Sequence, residues 1–380
     1  MKTNNKIKVH LIVGARPNFM KMDPLQKEFL KHKDIFDIKL IHTGQHYDEK
    51  MSKLFFDDLE MSEPDVYFGV GAGNHAQQTA SVMCKYDEYI ETNKADHVIV
   101  CGDVNSTLAC TLVAAKRNIR VSHVEAGLRS FDKTMPEETN RLVTDVLSDM
   151  LFIPSEDARV NLLNEGLSEN KIYFVGNIMI DSLTKHKHKA EKSNILNVLK
   201  LEHNDMIDDY ALVTLHRPSN VDSYDGLLTL FSAFLEISKK VKLIFPVHPR
   251  TLKNIKNFGL NKYVEEIEGL ILIDPVGYLD FMKLQMNAKF ILTDSGGIQE
   301  ESTYFNIPCL TLRENTERPI TISLGSNQLV KLTTEDIVQK SMEIVSGNKK
   351  SGTIPPLWDG RTAERIVASI ISESPGDVLL

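Results

Sequence analysis

Cysteine is scarce in this chain, with 4 among 380 residues: Cys84, Cys101, Cys110 and Cys309. All four stand in apolar or helical contexts without metal-ligand spacing. That excludes a disulfide framework and predicts buried thiols of a reducing compartment. No apolar run approaches the ~20 residues that cross a bilayer. Met1 to Lys6 lead into a strand pattern without the apolar region of a secretory leader. The expectation is a cytoplasmic protein without membrane contact. Positive charge is not in excess either. A formal net charge of -8 argues against broad attraction to nucleic acid, while leaving room for a local basic site for a small anion. Low-complexity segments and short-period repeats are lacking, which excludes solenoids.

Three absent motifs narrow the chemistry. No G-x-G-x-x-G follows the first predicted strand, so a dinucleotide cofactor lacks its usual phosphate turn. No G-x-x-x-x-G-K-[ST] occurs, so there is no P-loop. Neither H-E-x-x-H nor a Cys/His cluster is present, so the expectation is no metal and no cofactor.

What is there is a rhythm of short apolar strands alternating with amphipathic helices, which predicts parallel sheets covered on both faces. Strands are expected at Ile7 to Val13, Ile38 to Ile41, His97 to Cys101, Val121 to Val124, Met150 to Ile153 and Ile172 to Val175. The rhythm resumes with Ala211 to Thr214, Leu243 to Val247, Leu270 to Ile273, Phe290 to Thr293 and Cys309 to Leu312. Helices are expected over Tyr47 to Leu59, Gln77 to Tyr89, Ser106 to Lys116, Glu137 to Leu147 and Leu227 to Ile237, with a last one over Gly360 to Ser372. The expected division is residues 1–176, 177–358 and a C-terminal helical segment 359–380, with the hinge near Gly176.

The polar motifs all follow predicted strands, where open parallel sheets bind ligands. Thr293-Asp294-Ser295-Gly296-Gly297 reads as strand, small-residue turn and helix start. It would present free amides and a helix dipole to a phosphate, with Gly296 and Gly297 leaving the approach bare. Glu301, one turn on, is placed to accept from ribose hydroxyls. Arg16, between Gly14 and Pro17, can fork onto phosphate oxygens. Lys21 and Arg318 are further cations that can face the anion. Asp103, Glu125 and Glu137 are the acid/base candidates: Asp103 after Gly102, Glu125 at the end of a buried strand, Glu137 at a helix start. Arg141, four residues after Glu137, is placed to pair with it. His216 and His248 follow strands at parallel positions and can serve as acid, base or hydrogen-bond partners. His123, inside a strand, belongs to the core.

Gly-Ala-Arg-Pro-Asn-Phe-Met-Lys at 14–21, Gly-Asp-Val-Asn-Ser-Thr-Leu at 102–108, His-Val-Glu-Ala-Gly-Leu-Arg at 123–129 and Met-Pro-Glu-Glu-Thr-Asn-Arg at 135–141 stand in order along the chain. Thr-Leu-His-Arg-Pro at 214–218, Asp-Ser-Gly-Gly-Ile-Gln-Glu-Glu at 294–301 and Glu-Arg-Pro at 317–319 complete the set. In register, these motifs closely resemble those of the non-hydrolysing UDP-N-acetylglucosamine 2-epimerase family. The resemblance implies an α/β fold of two Rossmann-like domains facing a central cleft, GT-B-like, with the last helix packing back on the first domain. It implies a homodimer that inverts C2 of UDP-GlcNAc to give UDP-ManNAc for surface polysaccharides.

Carried over by motif, Arg16, Ser295, Gly296, Gly297 and Arg318 would hold the diphosphate, and Glu301 the ribose. Asp103, Glu125, Glu137 and His216 would surround the sugar, with Lys21, Arg141 and His248 in support. Relatives acting on UDP-sugars modified at C3 or C6, and a glycosyltransferase of the same architecture, are the alternatives. One departure concerns the second, activating UDP-GlcNAc site of many bacterial members. Gln45-His46 resembles part of it, but the stretch 71–78 and His-Arg-Pro differ from its pattern. Hyperbolic initial rates are therefore expected.

Overall fold

In a computed structural model of the chain, residues 6–44, 60–71, 73–204 and 206–373 are described, the side chain of Arg16 excepted. The helix expected over Tyr47 to Leu59, together with Gln45 and His46, lies outside these residues. The chain divides into two compact units, Met1–Lys185 with Pro356–Leu380, and His186–Pro355.

The first unit is built on a parallel sheet. In chain order its strands are β1 (Ile7–Val13), β2 (Phe36–His42), β3 (Val66–Tyr67), β4 (His97–Cys101), β5 (Arg120–Val124), β6 (Met150–Ile153) and β7 (Ile172–Phe174). Their spatial order is β3-β2-β1-β4-β5-β6-β7. From β1 the chain first winds towards β2 and β3, then returns to lay β4 on the other side of β1. The reversal leaves a crevice beyond the ends of β1 and β4, the position at which doubly wound sheets take ligands. Every residue of β4 and β6 is buried. Sheets covered on both faces require strands of this kind, which is why they read as unbroken apolar runs. Val98, Val100 and Val121 pack with Val82, Tyr86 and Ile90 of the helix His75–Thr92.

The second unit repeats the winding. A short antiparallel pair, β8 (Glu202–His203) and β9 (Met206–Ile207), precedes the sheet strands. These are β10 (Tyr210–Thr214), β11 (Lys242–Pro246), β12 (Leu270–Ile273), β13 (Phe290–Thr293), β14 (Cys309–Thr311) and β15 (Asn327–Leu329). Their order is β12-β11-β10-β13-β14-β15, so the reversal here lies between β10 and β13. Phe231, Phe234 and Phe245 lead its core. The strands β3 and β15, absent from the sequence reading, are edge strands too short to leave a periodicity.

The division falls at Lys185, inside the helix Ile178–Glu191, rather than at Gly176. The early part of that helix is tied to the first unit. Ser182 Oγ donates to the Met20 carbonyl, and Lys185 Nζ lies 2.8 Å from Asp23 Oδ2. The closing segment joins the first unit from Pro356, three residues before the expected 359. Its helix Thr362–Ser372 packs on the helix Arg16–Lys31. Asp181 caps it, accepting from the Thr362 amide at 3.1 Å and the Ala363 amide at 2.8 Å. Trp358 Nε1 donates to the Pro154 carbonyl at 3.0 Å. The cysteine expectation needs one correction. Cys101, Cys110 and Cys309 are buried, but Cys84 is exposed on the polar side of its helix.

Candidate active site

In the first unit, the crevice at the sheet reversal is stitched by Asn18, in the first turn of the helix Arg16–Lys31. Its Oδ1 accepts from the amides of Gly14, at 3.3 Å, and Ala15, at 3.0 Å, while Nδ2 donates to the Cys101 carbonyl at 3.1 Å. One side chain thus joins the ends of β1 and β4. Arg16 opens the helix beside Pro17; its side chain is outside the described atoms.

Lys21, one turn later, is not an exposed helix lysine. Its Nζ sits directly on Glu125 Oε2; the Glu125 side chain is buried and that of Lys21 is partly buried. Glu125 leaves β5 in the left-handed region at φ 70, and Gly102 leaves β4 at φ 69. A Cβ on Gly102 would stand 3.4 Å from Glu125 Oε2 and 3.5 Å from Lys21 Nζ. Among the described residues the second Glu125 oxygen, Oε1, is buried with no hydrogen-bond partner. A buried carboxylate oxygen left open is expensive unless a ligand or proton completes it.

Asp103 follows Gly102 and stays about one-third exposed. Its Oδ2 meets Arg141 Nη2 at 2.5 Å. The expected Glu137–Arg141 pair does not form. Arg141 pairs with the neighbouring Glu138, Nη1 to Oε2 at 2.5 Å. The helix Pro136–Leu147 turns Glu138 inward and leaves Glu137 partly exposed. Glu138 accepts from the Ser130 and Phe131 amides and the Ser130 hydroxyl, at 2.8–3.1 Å. Burial opposes its charge, but these donors and Arg141 outweigh burial and hold the carboxyl below its usual range. Glu138, Arg141 and Asp103 form a chain that ends at an accessible carboxylate.

In the second unit, Ser295 caps the helix Gly296–Phe305 without a side-chain hydrogen bond to its first turn. The N-terminal amides are therefore available to an anion. A Cβ on Gly296 would come within 2.8 Å of Arg318 Nη1 and of Glu317 Oε1, whereas one on Gly297 would meet nothing within 4 Å. Arg318 is thus held against the turn. Glu300 Oε1, 2.8 Å from its Nε, and Glu317 Oε1, 2.5 Å from its Nη1, fix the guanidinium, and Glu317 is held in turn by Arg313 at 2.7 Å.

Across the reversal, Asp294 is fully buried and accepts from the His216 and Arg217 amides and from Asn220 Nδ2. It shapes the turn that carries His216. The rings of His216 and His248 lie 6.4 Å apart. His248 Nδ1 accepts from the Arg250 amide at 3.2 Å, capping the helix Pro249–Asn257. Partial burial, then His216 and Arg250, lower its pKa. Glu301 is buried beneath Tyr278, whose hydroxyl donates to Oε1 at 3.3 Å. Burial pushes its carboxyl up to about 7, Glu300 adds to the rise, and Tyr278 and Gln285 oppose it.

The described residues contain no group of three or more His, Cys, Asp or Glu able to hold a metal ion, and no helix long and apolar enough to cross a membrane. Each unit therefore offers a distinct chemistry. The first carries carboxylates and the second an anion grip of bare amides and a fixed guanidinium.

The profile of the UDP-N-acetylglucosamine 2-epimerase family matches residues 28–371. The chain belongs to that family. A Methanocaldococcus jannaschii UDP-N-acetylglucosamine 2-epimerase is 43% identical over 364 residues, covering 95% of this chain and 98% of its own. The crystal structure of M. jannaschii UDP-GlcNAc 2-epimerase in complex with UDP-GlcNAc and UDP is similar at a TM-score of 0.86 and 42% identity, covering 96% of this chain and 100% of that one. A Pseudomonas aeruginosa UDP-2,3-diacetamido-2,3-dideoxy-D-glucuronate 2-epimerase is 38% identical over 338 residues, 88% of this chain and 91% of its own.

Within that family frame, sequence reasoning missed Asn18, Glu138, Asp294 and Glu317 as organisers of the site. Asn18, Glu138 and Asp294 bond to groups that folding brings together, and Glu317 bonds to the arginines on either side of it. The available signal was a polar side chain beside a strand end or at the buried position of a helix start.

Proposed function

We propose that the protein interconverts UDP-GlcNAc and UDP-ManNAc by inverting C2 without net hydrolysis. The observation that carries this reading is the pairing of chemistries within a family of known reaction. One unit supplies an uncapped helix start with bare glycines and a fixed arginine. The other supplies partly desolvated carboxylates, one with an open oxygen. A hydrogen on C2 is not acidic, because no carbonyl adjoins it. It can leave if the C1–O bond to UDP breaks at the same time. A carboxylate takes the C2 proton, the C1–C2 double bond forms, and the C1–O electron pair departs with UDP. A 2-acetamidoglucal remains. A proton then returns to the opposite face of C2, and a UDP oxygen re-adds at C1.

In this reading the Ser295 hydroxyl, the Gly296 and Gly297 amides and Arg318 stabilise the departing diphosphate, with Arg16 as a further cation. Glu301 faces the ribose. Asp103, Glu125, Glu137 and His216 are the acid/base set, with Lys21 holding Glu125 and Arg141 holding Asp103. His248 stands beside His216. The resemblance to the family supports a cytoplasmic homodimer that supplies surface polysaccharide synthesis.

The test is incubation with UDP-GlcNAc in deuterated water. Deuterium at C2, with UDP-ManNAc formed and no net UDP release, is the expected result. UDP and free sugar as products would overturn it. Asp103→Asn and Glu125→Gln should each keep UDP affinity and lose turnover by about 100-fold or more.

The P. aeruginosa relative favours a second reading, the same inversion on a UDP-N-acetylhexosamine modified at C3 or C6. A higher kcat/KM for UDP-2,3-diacetamido-2,3-dideoxyglucuronate than for UDP-GlcNAc would select it.

A further inference from the structure

His123 sits in β5 among core residues, and its side chain has no exposed surface. Yet both ring nitrogens are engaged. Nδ1 lies 2.6 Å from Asp145 Oδ1, and Nε2 lies 2.8 Å from the Gly102 carbonyl oxygen. A carbonyl oxygen only accepts, and so does an ionised carboxylate.

Asp145 has strong reasons to be ionised. Its Oδ2 accepts from Arg129 Nη2 at 2.7 Å and from the Gly127 amide at 3.1 Å. Two acceptors facing one ring are both satisfied only when each ring nitrogen carries a hydrogen. The surrounding charges balance: Arg129 and the imidazolium stand against Asp145 and Glu165, the last at 2.6 Å from Arg129.

The location of this pair matters more than its charge. Gly102, in the left-handed region, ends β4 and is followed by Asp103. Its amide donates to the Val124 carbonyl at 3.1 Å, and its carbonyl is taken by His123. Gly127 closes the turn that Glu125 opens, and its amide is taken by Asp145. One His–Asp pair therefore grips both turns that present the acid/base carboxylates. Resting on the epimerase reading of Asp103 and Glu125, we propose that His123 is a positioning residue, an imidazolium clamped by Asp145, which fixes the spacing of those two carboxylates.

The first measurement is nitrogen NMR of the whole protein labelled at histidine with nitrogen-15, at pH 8, where a solvent-facing imidazole is neutral. A ring with both nitrogens protonated is expected, and its absence overturns the imidazolium. It needs no variant to fold. The second compares His123→Asn and Asp145→Asn by circular dichroism, UDP calorimetry and steady-state kinetics. The expected result is kcat lowered on the order of 100-fold, as for an ångström-scale misplacement. UDP affinity and KM should stay near wild type, and hydrogen exchange at C2 should fall in parallel. Folded variants with wild-type kcat overturn the positioning role. If the wild-type protein exchanges no hydrogen at C2, the epimerase reading fails and the positioning role with it, while the ring state is still decided by the spectrum.

Discussion

Asp294 holds His216 twice, accepting its backbone amide at Oδ2, 3.0 Å away, and facing its ring Nδ1 from Oδ1 at 3.2 Å. The carboxylate is fully buried while the ring is about half exposed. The rigid partner therefore sets the orientation of the accessible one. Asp294→Asn replaces one acceptor oxygen by a donor that faces main-chain amides. The expected cost is about 1–3 kcal/mol or more, read as a lower denaturant midpoint, with kcat reduced because His216 loses its fixed ring.

The buried Glu125 is paired with the partly buried Lys21, so substituting Lys21 alone should behave differently from substituting both. Lys21→Met leaves the carboxylate buried without compensation, at a cost of about 3–5 kcal/mol. Lys21→Met with Glu125→Gln should recover most of that loss in a denaturation series. Neither protein should turn over. Additive destabilisation in the double variant would show that the pair is not coupled.

The two glycines of the turn separate a phosphate grip from a merely tight bend. Gly297→Ala adds a methyl group that meets no atom of the protein within 4 Å. Stability should hardly change, since the added methyl meets open space. UDP affinity, measured by calorimetry, should fall by roughly 10-fold or more if a phosphate comes up to those amides. Gly296→Ala should also weaken UDP, by pushing Arg318 and Glu317 out of place. Unchanged UDP binding in both variants would remove the turn from the site.

Glu301 gives the second unit a pH signature of definite sign. Burial raises its carboxyl from 4.5 to about 7 in the fold. The folded protein therefore binds the proton more tightly than the unfolded chain does. That contribution is full below the unfolded value and is lost as pH rises through 7, on the order of 3 kcal/mol in all. Glu301→Gln should remove this slope. Relative to wild type it should be more stable at pH 8 than at pH 5, as measured by chemical denaturation at both.

Much of this was readable before folding, for identifiable reasons. Strands buried on both faces leave unbroken apolar runs, so β4, β6 and β13 have the bounds that the sequence indicates, and so do β1 and the half-buried edge strand β12. Residues that follow such strands are delivered to one edge of a sheet, which is why Asp103, Glu125 and Ser295 to Gly297 stood out. Partners were harder to read. Positions three and four residues apart both share a helix face. The sequence therefore could not say whether Arg141 takes Glu137 or Glu138. The burial of Glu138 under the Ser130 and Phe131 amides decides it. Asn18 and Asp294 bond across the reversals, to groups tens of residues away, and no local pattern encodes that.

The helix Thr362–Ser372 belongs to the unit that the ribosome makes first, yet it is among the last segments to be made. Asp181 waits, as synthesis proceeds at ~5–20 residues per second, for two amides that emerge only after the whole of His186–Pro355. The earlier-born half thus finishes later than its successor. A chain stalled near Pro355 would release a complete second unit beside a first one still missing a wall.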